Sequence, residues 1–293
     1  MQSICPNNAT IYAFDKNHPA KLTVNAGETI EISTLDCFSN QVDEQNSLSG
    51  IDWNHINPAT GPIYIKDAKA GEILKVIIHS IELADTGVIT VGPGFGVMPF
   101  ESIAQKIVKI DHNVAHFNDE IKIPLNPMIG VIGVAPAGDA IPTGTPDAHG
   151  GNMDTKLITA GSILYLPIAV DGALFALGDL HAAMGDGEVG GTGIEIAGKV
   201  TVTLDVIHDQ SIPHPIIETK DAFAFIVSKP TIDEAIQLAT QLAINTIHQS
   251  TKLSLHESAM LASIACNAEI SQLVDPLLTA RFVVPKSILP QLP

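Results

Sequence analysis

Residues 173–191 read ALFALGDLHAAMGDGEVGG, an apolar run that opens after Leu177 into Asp179, His181, Asp186 and Glu188 with glycines between and after them. Carboxylates and imidazoles are the side chains that bind divalent cations and move protons near neutral pH. An Asp-x-His pair on one strand face can bring a carboxylate oxygen and an imidazole nitrogen to one small cation such as Zn²⁺. Further candidates stand in DAHGGNMD, where His149, Asn152 and Asp154 lie within six positions, and in STLDCFSN, where Asp36 ends an alternating run. Taken singly each is an ordinary residue, and Asp186-Gly187-Glu188 alone would be a solvated turn. Their shared placement at strand ends and in Gly-rich loops sets them apart in a chain with only 16% charged residues.

The elements that must position these groups read mostly as strands. KLTVNAGETIEIST (21–34) alternates apolar and polar residues on both sides of Ala26-Gly27, as two strands around a hairpin tip would. The segment 61–83 repeats the form around Lys69-Ala70-Gly71-Glu72, the segment 156–179 does so around Asp171-Gly172, and 195–208 adds one more alternating strand. Between them, 134–154 is a long aperiodic stretch rich in Gly and Pro, a length that in compact domains usually serves function. After residue 230 the period changes. Residues 231–249 carry apolar side chains at helical spacing behind a Thr231/Glu234 capping signal, a second helix starts at Ser254 with Glu257, and ARFVVPKSIL reads as a closing strand. The expected architecture is a mainly β body over residues 1–217, which holds the site, with a strand-helix-helix-strand unit over 218–293 packed on it.

Composition narrows the function. The 32 acidic against 15 basic residues leave a formal charge of −17, which disfavours nucleic acid, because phosphate backbones are held by clustered Lys and Arg. No apolar run reaches the ~20 residues of a membrane span. The first twenty residues lack a signal-peptide pattern, and Cys5, Cys37 and Cys266 form no framework, so a reducing cytoplasmic setting is expected. Exposed strand edges suggest a homodimer. Two rival functions remain at this point: an enzyme that uses Cys37 as nucleophile, and a non-catalytic β-sandwich that binds calcium or another ligand through its acidic loops. Calcium takes oxygen ligands, so the histidines speak against the second.

Together STLDCFSNQ, NPATGPIYIKDAKAGEILKVII, GPGFGVMPF, IPLNPMIGVIGVAP, the long stretch from TPDAHGGNMD to GDGEVGGTGIE, and VSKPTIDEAIQLA resemble the acetamidase/formamidase family over about residues 9–285. The resemblance implies a CUB-like β-sandwich with added α/β elements and hydrolysis of short aliphatic amides, such as formamide and acetamide, to carboxylate and ammonia. It also implies zinc, with calcium as a second ion, and marks Asp36, His149, Asn152, Asp154, Asp179, His181, Asp186 and Glu188. Amide hydrolysis needs a strong nucleophile, a stabilised oxyanion and an acid for the leaving nitrogen, all of which a metal-bound hydroxide with a nearby carboxylate can supply. On that chemistry Asp36, His149, Asp179 and His181 are expected to hold the metal, with Glu188 as general base and Asn152 as oxyanion donor. Asp154 and Asp186 are expected to orient the histidines or bind calcium. Phe100 is expected to line a small apolar pocket for the acyl group.

Overall fold

Strict alternation makes a strand bury one face and present the other. Gly198–Ile207 shows the pattern plainly, with Val200, Val202, Leu204 and Val206 buried and the residues between them half-buried. The computed structural model describes residues 1–292 and assembles such strands into two large sheets. In the first the order is Gln2–Ile4, Glu28–Thr34, Gly198–Ile207, Ile73–Leu83, Ile163–Pro167, Ile216–Glu218, Ala222–Lys229, Leu278–Pro285 and Asn267–Gln272. In the second the central run is Lys122–Pro124, Val114–His116, Ala104–Asp111, Thr86–Val91, Glu195–Ile196, Phe175–His181, Met128–Gly133 and Gly150–Asn152. Ala59–Ile65 also pairs with Phe175–His181 and carries Thr10–Ile11 and Leu22–Val24 beside it. One continuous core joins the inner faces, with Ile30, Val76, Val202 and Leu204 from the first sheet against Ile63, Ile129, Phe175 and Leu177 from the second.

The turns expected to be hairpins are corners of this sandwich. Leu22–Val24 lies in the second sheet and Glu28–Thr34 in the first. Ala59–Ile65 and Ile73–Leu83 are divided in the same way, and so are Ile163–Pro167 and Phe175–His181. Residues 195–208 also break into two strands, Glu195–Ile196 in the second sheet and Gly198–Ile207 in the first. Alternation and a Gly turn show where a strand reverses. They carry nothing about which strand it pairs with next, because that depends on distant partners.

The C-terminal unit extends the first sheet, and helices α1 (Ile232–Ser250) and α2 (Leu255–Ala265) cover that extension. Its register explains how one strand serves two cores. Along Ala222–Lys229, Ala224 and Ile226 face the sandwich, whereas Phe223, Phe225 and Val227 face the helices. Both helices start as expected: the Thr231 side chain accepts from the Glu234 N–H, and Ser254 and Glu257 form a reciprocal capping box. A second strand, Asn267–Gln272, was not foreseen; it follows α2 and pairs antiparallel with Leu278–Pro285. The β-sandwich with an added C-terminal α/β unit is thus the class expected.

Helix α1 meets the sheet through Ala235, Ala239 and Ala243, all fully buried. A larger side chain there has no space to enter. Ala239→Leu is expected to lower unfolding stability by about 1–3 kcal/mol through overpacking, read from urea denaturation midpoints; an unchanged midpoint would show that the helix-sheet contact is loose.

Candidate functional site

Phe175–His181 delivers Asp179 and His181 to one place, though not as a regular strand would. It pairs with Met128–Gly133 through Ile129↔Leu180 and Val131↔Gly178, which sets Gly130 opposite Asp179. Asp179 adopts φ of 54°, in the left-handed region. Its carboxylate then occupies space that any side chain at 130 would fill: a Cβ on Gly130 would stand 2.5 Å from Asp154 Oδ1 and 2.6 Å from Asp179 Oδ2. Gly193 clears the imidazole similarly, since a Cβ there would stand 2.7 Å from His181 Nδ1. Asp154 and Glu188 also have left-handed backbones, with φ of 38° and 45°. Such conformations cost roughly 1–3 kcal/mol each and persist where the surrounding structure imposes them.

His181 Nε2 lies 3.2 Å from Glu195 Oε1, 3.7 Å from Asp179 Oδ1 and 3.7 Å from Asp154 Oδ1, and all four residues are buried. These are the separations of ligand atoms around a common ion: donors about 2.0–2.1 Å from a tetrahedral cation stand roughly 3.3 Å apart. Two three-residue sets, Asp154, His181 and Glu188, and Cys37, Asp179 and Glu195, each bring their ligand atoms within 4.8 Å of one another. Both oxygens of Asp154, Asp179 Oδ1, Glu195 Oε2 and Asp275 Oδ2 are buried without a protein hydrogen-bond partner. Burial pushes the Glu188, Glu195 and Asp275 carboxyls well above their ordinary range, and the charges of neighbouring carboxylates add to the effect. Burial opposes a charged His181, yet the Glu195 and Asp179 carboxylates beside it outweigh this and hold its pKa well above the usual value. Oxygen, nitrogen and sulfur donors so concentrated and so poorly neutralised fit a borderline divalent cation.

A cavity of about 110 Å³ opens onto this cluster, bounded by Cys37, Asn152, Asp179, Glu188, Glu195 and Asp275 at its polar end and by Trp53 and Phe95 elsewhere, with no Lys or Arg in its lining. The loop that carries Glu188 is fastened to the C-terminal unit. Arg281, 1% exposed, grips Asp186 with two hydrogen bonds of 2.9 and 2.8 Å and Glu269 with one of 2.8 Å. Gly187 bridges to Gln272 alongside. The same unit supplies Asp275, whose Oδ1 accepts a 3.2 Å hydrogen bond from Asn152 Nδ2.

Several expected roles move. Asp179, His181, Asp154 and Glu188 converge. Asp36 sits just past the end of Glu28–Thr34, where its Oδ1 accepts from the Phe38 and Asn40 backbone N–H groups at 3.0 and 2.6 Å. It closes a turn and belongs to neither ligand set; burial lifts its pKa to about 6, with Asp179 contributing. His149 is also outside both sets, packed edge-on against Phe14 at 5.1 Å and held neutral by burial, which lowers its pKa to about 4. Asp186 is the partner of Arg281 and of Lys156, each at 2.8 Å, and stands outside both ligand sets. Phe100 is 41% exposed and absent from the cavity wall, where Phe95 of the same loop stands instead.

Glu195 and Asp275 were missed. Glu195 reaches the cluster because it pairs across strands with His181, and Asp275 because the loop between the last two strands brings it to Asn152 and the cavity. Glu195 follows the glycines at 190, 191 and 193 but reads as the first residue of an alternating strand, and only an Asp-Pro turn signal marks Asp275. Cys37 enters beside Asp179 and Glu195 because the strand ends at Thr34, which releases Asp36 and Cys37 from opposite faces. Burial and the adjacent Glu195 and Asp179 carboxylates push its thiol well above the ordinary range.

Gly130 generates a direct test. Gly130→Ala is expected to displace Asp154 and Asp179 and to weaken the binding of an added divalent cation roughly 10–100-fold, measured by calorimetry on protein with an unchanged circular dichroism spectrum; wild-type affinity would show that these two carboxylates do not bind the ion together.

The sequence pattern of the Acetamidase/Formamidase family matches residues 8–143 and 137–290. A predicted acetamidase/formamidase from Thermoanaerobacter tengcongensis superposes with a TM-score of 0.96 at 45% identity, covering 99% of this chain and 97% of that one. An acetamidase from Bacillus halodurans gives 0.96 at 42% identity, with 99% of each chain covered. A protein of Schizosaccharomyces pombe is 24% identical over 254 residues, a match that takes in 64% of this chain and 62% of that longer relative. A family pattern running through almost the entire sequence, and likeness to these folds from end to end, place the chain in the acetamidase/formamidase family.

Proposed function

We propose that this chain hydrolyses short aliphatic amides, of the size of formamide and acetamide, to the carboxylate and ammonia in a zinc-dependent reaction. The observation that carries this reading is the set of Asp154, Asp179 and Glu195 around His181 Nε2, of which Asp179 and Glu195 line a cavity of about 110 Å³. Those four residues would hold the cation. When bound, it would polarise the amide carbonyl and acidify an attacking water.

The remaining groups do the proton work. Glu188 lines the cavity and lies against Asp154 and His181, where it can take a proton from water and return it to the leaving nitrogen. Burial and the Asp154 carboxylate beside it raise its pKa well above the ordinary carboxylate range. Asn152 is engaged through Nδ2 with Asp275 and leaves Oδ1 unpartnered, as Asp275 leaves Oδ2. These oxygens form an acceptor wall suited to the two N–H donors of an unsubstituted amide, so Asn152 serves the substrate nitrogen and not the oxyanion.

A Cys37 nucleophile is poorly supported, because the thiolate is the reactive form and this thiol is buried among carboxylates with no basic residue lining the cavity. A calcium-binding sandwich is poorly supported because an imidazole lies at the centre of the carboxylates.

Glu188→Gln is expected to slow ammonia release from acetamide by roughly 10²–10⁴-fold while zinc content stays that of the wild type; near-normal turnover would remove Glu188 from the proton path. Chelator-stripped protein is expected to lose ammonia release and to recover it with Zn²⁺, and turnover that survives complete stripping would sink the metal-dependent reading. Zinc binding also requires an unprotonated His181 and an ionised Glu195, both of which the isolated site holds in the protonated form more strongly than usual. Protons are therefore expected to leave as zinc enters at neutral pH. Calorimetry in two buffers of different ionisation enthalpy reads this, and identical heats would contradict it.

A further inference from the structure

We propose that Trp53 and Phe95 form the aperture that limits the length of the acyl chain at this site, an assignment that rests on the amide reading above. The cavity runs from the buried carboxylates to Trp53, which is 42% exposed, so a substrate whose carbonyl lies among the carboxylates must direct its acyl group toward the rings. The two ring centroids are 5.8 Å apart with planes inclined by 38°.

Each ring is held from its own side. Trp53 opens a short turn, Trp53–His55, anchored by Asp52, whose side chain accepts from the Asn54 N–H at 3.0 Å and meets His55 Nδ1 at 2.6 Å. Phe95 is keyed to the loop that carries Glu188. The Val97 N–H donates to Val189 O at 2.9 Å, and a Cβ on Gly191 would lie 2.9 Å from the Phe95 Cβ. Gly96, at φ of 64°, leaves no space for a side chain against Val189 O, so the two loops approach backbone to backbone. The ring that bounds the acyl group and the carboxylate that moves the proton are therefore placed by one contact.

A competing route exists. An apolar groove of about 770 Å³ lies on the far side of Thr90, Glu188 and Thr192. The partition is closed by two hydrogen bonds of 3.0 Å, from the Thr90 N–H to Thr192 Oγ1 and from Thr192 Oγ1–H to Thr90 O. The aperture assignment requires the acyl chain to stop at the rings and not to pass this wall.

The test compares kcat/KM for formamide, acetamide, propionamide, butyramide and hexanamide in the zinc-loaded wild type, Trp53→Ala, Trp53→Phe, Phe95→Ala and Thr192→Ala. The hexanamide-to-acetamide ratio is expected to rise roughly tenfold or more in both ring-to-alanine variants, the scale at which one methylene is discriminated. It is expected to stay at the wild-type value in Trp53→Phe, which keeps a ring. Unchanged ratios in the two alanine variants, or widening only in Thr192→Ala, would overturn the assignment. Trp53 is the single tryptophan of the chain, so its emission reports occupancy without turnover. Acetamide is expected to shift that emission in the Glu188→Gln protein. An emission response without ammonia release from the wild type would sustain the aperture and refute the hydrolase reading. Ammonia release with no response would refute the aperture and leave the hydrolase standing.

Discussion

Carboxylates crowded around one imidazole, with no basic residue lining the cavity they share, are the constraint from which the rest of this structure follows. Asp154, Asp179, Glu188 and Glu195 are all buried, and Asp275 stands beside them. In a medium of low polarity such a group must bind protons or a cation, since desolvating each carboxylate costs more than hydrogen bonds alone return. The unpartnered oxygens and the raised pKa values are two expressions of this one condition. They mark a place where the fold gives up stability that a bound ion would restore.

Holding the carboxylates so close needs both strain and room. Asp154, Asp179 and Glu188 accept left-handed backbones, and Gly130 and Gly193 supply the space their neighbours occupy. These features lie on different strands and loops of the second sheet, so the closed core between the sheets is what keeps them in register. The C-terminal unit takes part as well. Arg281 draws the loop of Glu188 onto the strands that follow α2, and the same region brings Asp275 to the cavity. A unit that looks peripheral in the chain thus completes the site.

The family likeness and the geometry answer different questions. Likeness in fold and sequence identifies the lineage, and the cavity describes what could react within it. Its small volume, its buried acceptors and its two aromatic rings are the features on which the proposed amide reading rests.

Local sequence already determined a good deal. Alternation marked the strands, the Thr231 and Ser254 signals marked both helix starts, and the Asp-x-His spacing singled out Asp179 and His181. Asp154 and Glu188 stood out because glycines surrounded them. Such features are legible because propensity, capping and side-chain period act over a few residues. Which sheet each strand joins, and that Asn267–Gln272 is a strand at all, depended on partners far along the chain. For the same reason Glu195 and Asp275 entered the cluster unseen, His149 turned to Phe14, and Asp186 went to Arg281. A side chain's chemistry is written in its type, but whether it meets a cation, a ring or a guanidinium is decided by what packing brings within a few ångströms of it.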